Sequence, residues 1–66
     1  MKNNPRSVSD FLATMPRNES WESAQFRVAV AWDAVRGLDP TMSHFHHVEV
    51  ENYFRAAQQH RDSLES

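Results

Sequence analysis

Between Ser20 and Gly37 the apolar residues return every three or four positions. Trp21, Ala24, Val28, Ala31, Trp32 and Val35 fall on one stripe of a helix. That period excludes a strand here and makes this segment the organising element of the chain. Phe26 and Val30 lie roughly opposite the stripe, on the side a one-faced helix gives to water. A helix with apolar residues on two sides predicts contact with something besides its own fold.

The breakers and caps divide the rest. Ser7 and Ser9 are candidate N-caps for a first helix, with Asp10 placed to suit its dipole. Val8, Phe11, Leu12 and Met15 form its apolar patch, and Pro16 stops it by excluding Met15 from helical geometry. Ser20 caps the second helix, and Glu22 sits in its first turn. Gly37, the only glycine, follows Arg36, where a left-handed C-terminal residue is expected. After the turn Leu38-Asp39-Pro40, Thr41 or Ser43 opens a third helix. Its stripe is Met42, His46, Val50, Tyr53, Ala57, His60 and Leu64, with Phe54 beside it and Glu51 and Arg55 paired on the far side.

The expected architecture is all-α: three helices over about 8–15, 21–36 and 43–64, in a single domain spanning 7–64 after a disordered lead-in at 1–6. The second and third pack antiparallel, with the short first helix laid across them. The expected core is Phe11, Leu12, Trp21, Val28, Trp32, Val35, Val50, Tyr53, Ala57 and Leu64. A core in 66 residues rarely supplies more than ~3–5 kcal/mol unaided. With no cysteine, disulfides and thiolate metal sites are excluded. That leaves a second copy, a larger protein partner, or marginal stability.

A net charge of −2 and a pI near 6.0 argue against free-standing DNA binding, which needs a basic stripe. Protonating all four histidines would take the charge to +2, so association through this chain is a candidate for pH dependence. The densest chemical stretch is His44-Phe45-His46-His47-Val48-Glu49-Val50-Glu51. His44, His47 and Glu51 share a face at zinc-compatible spacing, but the HExxH arrangement and a fourth ligand are missing. We read it as a polar face with His46 turned toward the core, and expect neither a metal nor a cofactor. No nucleophile–base pair, oxyanion loop or phosphate-binding glycine motif is present, so no enzyme is expected. No run reaches the ~20 apolar residues of a membrane span, and Met1-Lys2-Asn3-Asn4-Pro5 lacks the apolar stretch of a secretory signal. A cytoplasmic protein without membrane contact is expected.

Three stretches resemble the Hha/Cnu family of small nucleoid-associated regulators. Ser7-Val8-Ser9-Asp10-Phe11-Leu12 is similar to its short first helix, which carries an Asp-Tyr-Leu pattern. Ser20-Trp21-Glu22-Ser23 is similar to the start of its second helix. Phe54-Arg55-Ala56-Ala57-Gln58-Gln59-His60-Arg61 resembles the Tyr-Arg-Ala-Ala-Asp-His-Arg-Arg stretch of its third, departing at Gln58-Gln59. The resemblance implies a helical protein that binds the dimerisation domain of H-NS-like proteins and tunes transcription without reading DNA, with Asp10, Glu22 and Arg55 as contacts. Val28-Ala29-Val30-Ala31-Trp32, followed by Tyr53-Phe54-Arg55, is similar in pattern to the theta subunit of bacterial DNA polymerase III. That family implies a small helical accessory of a proofreading nuclease. Both point to action by binding. The expected partner-binding residues are therefore Phe26, Val30 and Phe45 on apolar grounds, and Asp10, Glu22 and Arg55 by resemblance. A homodimer through Phe26, Val30 and Phe45, and a phage- or plasmid-encoded inhibitor of a host enzyme, are the alternatives.

Overall fold

Ser7 starts the first helix by a reciprocal exchange. Its hydroxyl accepts from the Asp10 N–H at 3.2 Å, while the Asp10 carboxylate accepts from the Ser7 N–H at 3.4 Å. The computed structural model describes residues 4–64, and in it this helix, α1, runs Val8–Ala13. It ends two residues before the expected boundary. The Thr14 and Met15 amides reach back only three residues, to Phe11 and Leu12, in a tightened last turn ahead of Pro16. Of the expected lead-in, residues 1–3 lie outside the described residues. Arg6 makes specific contacts: its carbonyl accepts from Asn52 Nδ2 at 2.7 Å, and its guanidinium lies 5.4 Å from the Phe11 ring centroid.

The second helix, α2, spans Trp21–Arg36, with the Ser20 hydroxyl accepting from the Ser23 N–H at 3.1 Å. Gly37 closes it in right-handed geometry, φ −84° and ψ −3°, not in the left-handed form expected from its position. Its N–H still reaches the Asp33 and Ala34 carbonyls, so the helix terminates as a tight right-handed turn. Asp39 then organises the turn, accepting from the Thr41 N–H and hydroxyl, which holds its carboxyl below the usual range. Ser43 rather than Thr41 serves the third helix, α3 (His44–Leu64): its hydroxyl accepts from the His46 N–H at 3.1 Å.

The three helices form one all-α body with no strand among the described residues. α1 and α2 both pack on α3 rather than on each other. Thus α1 is not laid across both long helices as expected. Phe11 of α1 and Met15 of the turn after it enter the cluster shared with α2, with Val8 and Leu12 packed against it. Cross-contacts pair the start of α2 with the end of α3 (Gln25 with Arg61) and its end with the middle (Trp32 with Phe54), so the long helices are antiparallel.

Their crossing is built from alanines. Ala24, Ala56 and Ala57 are fully buried and Ala31 nearly so, with Val28, Phe11 and Met15 completing the core. Small residues let the helix backbones approach closely, and among the described residues no large side chain is fully enclosed. This displaces the two tryptophans expected in the core: Trp21 is 37% and Trp32 47% exposed. Both sit at the edge of the buried face, where an indole has room. Trp32 lies against Phe54 at 5.4 Å between ring centroids. Val35, Val50 and Leu64 are half-buried, as are Leu12 and Tyr53, which pack against the cluster. The histidine expected to face inward, His46, is exposed; the buried one is His60, four turns further along the same stripe.

Candidate interaction surface

The phase of α2 leaves one strip of its outer side apolar. With Ala24, Val28 and Ala31 facing α3, Phe26 and Val30 point away, 71% and 51% exposed. They are the two most exposed of the large apolar side chains among the described residues. Beside them the surface dips into a groove of about 240 Å³, lined by Ser23, Phe26, Arg27 and Val30 from α2 and Tyr53 from α3. That is smaller than the ~300–1,000 Å³ of a typical small-molecule site, but large enough for one apolar side chain.

The groove wall is fixed from behind. The side chain of Glu19, in the short connection before α2, is 5% exposed and accepts five hydrogen bonds. Arg27 Nε contacts both carboxylate oxygens at 3.0 and 2.9 Å, and Arg27 Nη2 donates to Oε1 at 2.8 Å. The Ser23 hydroxyl donates at 3.1 Å, and His60 Nε2 donates to Oε2 at 2.8 Å. The Arg27 hydrogen bonds, with help from His60 and Ser23, hold the Glu19 carboxyl at about 2 despite desolvation. Arg27 is raised above its ordinary value, first by Glu19 and also by Tyr53. A carboxylate beside an imidazole is a familiar acid–base pair. Here the carboxylate accepts from both neighbours and both side chains are shut from solvent, so the group clasps three chain segments together.

The structure brings Phe26 and Val30 together and adds Tyr53, which the sequence pattern placed in the core. The other expected contacts lie elsewhere. Phe45 is half-buried and Arg55 is exposed beside Asn52 at 3.5 Å; neither lines the groove. Among the described residues Arg55 forms no ion pair with Glu51. Asp10 is exposed but engaged in the α1 cap, and Glu22 stands exposed on the outer side of α2, one turn before Phe26. His47 Nε2 lies 2.8 Å from the Asp39 carbonyl. Among the described residues no group of three histidines and carboxylates comes together in a way that would hold a metal ion. Glu19, in the polar stretch Arg17-Asn18-Glu19, was not among the expected site residues. Its spacing of four from Ser23 and eight from Arg27 was the available signal.

No family model matches the chain, and no curated protein or solved structure matches it either. No helix among the described residues is long and apolar enough to cross a membrane.

Proposed function

We propose that this protein is a non-enzymatic binding module that acts by docking the outer side of α2 onto another protein. The carrying observation is the exposure of Phe26 and Val30 beside a groove whose wall is held rigid by the Glu19 clasp. An apolar strip kept on a pre-organised surface loses little side-chain or backbone freedom on binding, which favours association. The Hha/Cnu resemblance, carried by its three stretches alone, puts an H-NS-like nucleoid protein first among partners to test.

Site-specific photo-crosslinking in the native host tests this. A photoreactive phenylalanine analogue at position 26 is expected to yield discrete protein adducts. The same analogue at exposed Gln59, on α3, is expected to yield none. Adducts at neither site, or equally at both, would overturn the reading. An H-NS-like protein in the position-26 adduct would support the transcriptional role.

A further inference from the structure

The geometry points to the class of partner segment that fits this strip: an amphipathic helix whose apolar residues are flanked at both ends by lysine or arginine. The inference rests on the binding reading above and goes further by naming the chemistry of the ligand.

The strip has an acidic frame. Glu22 stands one turn before Phe26, and Asp33 three residues after Val30, both exposed on the outer side of α2. They are about 16 Å apart along the axis at ~1.5 Å per residue. Because α2 and α3 run antiparallel, Glu49, one turn before Tyr53, stands toward the Asp33 end. Among the described residues Glu22 and Glu49 have no ion-pair partner. Asp33 has only a loose one, Arg36 at 3.4 Å, with both side chains mostly exposed. The one cation lining the groove, Arg27, is occupied by Glu19. The surface therefore offers an apolar centre with carboxylates at each end, Arg27 tied to Glu19 and the exposed Arg36 beside Asp33 as the nearest other cation.

That frame discriminates between occupants. Two copies pairing through α2 antiparallel would lay Glu22 of each copy near Asp33 of the other. Pairing in parallel would lay Glu22 on Glu22. The parallel arrangement opposes like charges across a small apolar contact, and in the antiparallel one only Arg36, already beside Asp33, offsets them. A partner helix with basic residues about three turns apart, and leucine- or phenylalanine-sized residues between them, meets a carboxylate at each end and places one side chain in the groove. A free small molecule would leave the strip uncovered.

A display library of random sixteen-residue peptides selected on the whole chain, followed by fluorescence anisotropy with the enriched peptides, tests this. Enriched sequences are expected to carry apolar residues flanked by Lys or Arg. Their binding should weaken about tenfold or more in Phe26→Asp and weaken with added salt. The double variant Glu22→Lys, Asp33→Lys should select acidic flanks instead. A neutral or acidic consensus on the wild-type chain, no enrichment, or binding indifferent to Phe26→Asp would overturn the inference. So would sedimentation showing a dimer that Phe26→Asp dissolves, since the occupant would then be a second copy. Position-26 crosslinks with a non-basic consensus would defeat this inference alone; their absence defeats the binding reading itself.

Discussion

Glu19 and His60 stand 41 residues apart in the chain and 2.8 Å apart in space. With Arg27 they tie the entry to α2 onto the last turns of α3. Replacing the carboxylate by a neutral amide leaves Arg27 and His60 facing a weaker, partly mismatched acceptor in a closed site. Glu19→Gln is expected to lower the melting temperature by roughly 5 °C or more. Asp33→Asn, which removes only the exposed pair with Arg36, should leave it nearly unchanged. Thermal melts by circular dichroism compare the two.

The same clasp sets an acid limit. A Glu19 carboxyl at about 2 in the folded chain, against 4.5 for a free one, means that the native state binds fewer protons between those values. Its contribution to stability is therefore complete above about pH 5 and is lost as pH falls from 4.5 toward 2. Urea midpoints measured across that range should fall steeply in the wild type and less steeply in Glu19→Gln. Equal slopes would show that other carboxyls dominate.

Gly37 sits at φ −84°, a conformation open to any residue, and a methyl group there would meet only the Asp33 and Ala34 carbonyl oxygens at 3.5 and 3.6 Å. These are ordinary contacts. Gly37→Ala is expected to stabilise the fold by ~0.4–1 kcal/mol by restricting the unfolded chain. A lower urea midpoint would show that the glycine's freedom is needed after all.

Ala57 is fully buried at the crossing of α2 and α3. Ala57→Leu should force the helices apart and destabilise by ~1–3 kcal/mol, a large share of what so small a core supplies. Ala29→Leu, on the exposed side of α2, should change the urea midpoint little.

The helices were legible in the chain because their signals are local. Ser7, Ser20 and Ser43 cap within three residues, and Pro16 acts on its immediate neighbour. The exposure of Phe26 and Val30 followed from phase alone. What the pattern misread were magnitudes and long-range partners. Hydrophobicity weights Trp21 and Trp32 above Ala24 and Ala56, whereas close helix approach selects the smaller residues. The Glu19–His60 contact has no local signature, because it exists only once α2 and α3 have crossed. Tyr53 carries two roles, packing edge-on against Phe11 at 5.1 Å and lining the groove, and periodicity records only the first.

Because α1 packs its backbone on α3 and meets α2 only through the core that Phe11 enters, it forms the most detachable unit of the molecule. Six residues are too few to stay helical in water by themselves, so loosening Phe11 from Tyr53 would melt that turn while the long hairpin persists. Amide exchange should therefore proceed in two tiers, fast at Val8–Ala13 and slow across the alanine seam. Tyr53 stands at the border between them, so occupancy of the groove and attachment of the amino-terminal turn share a single aromatic ring.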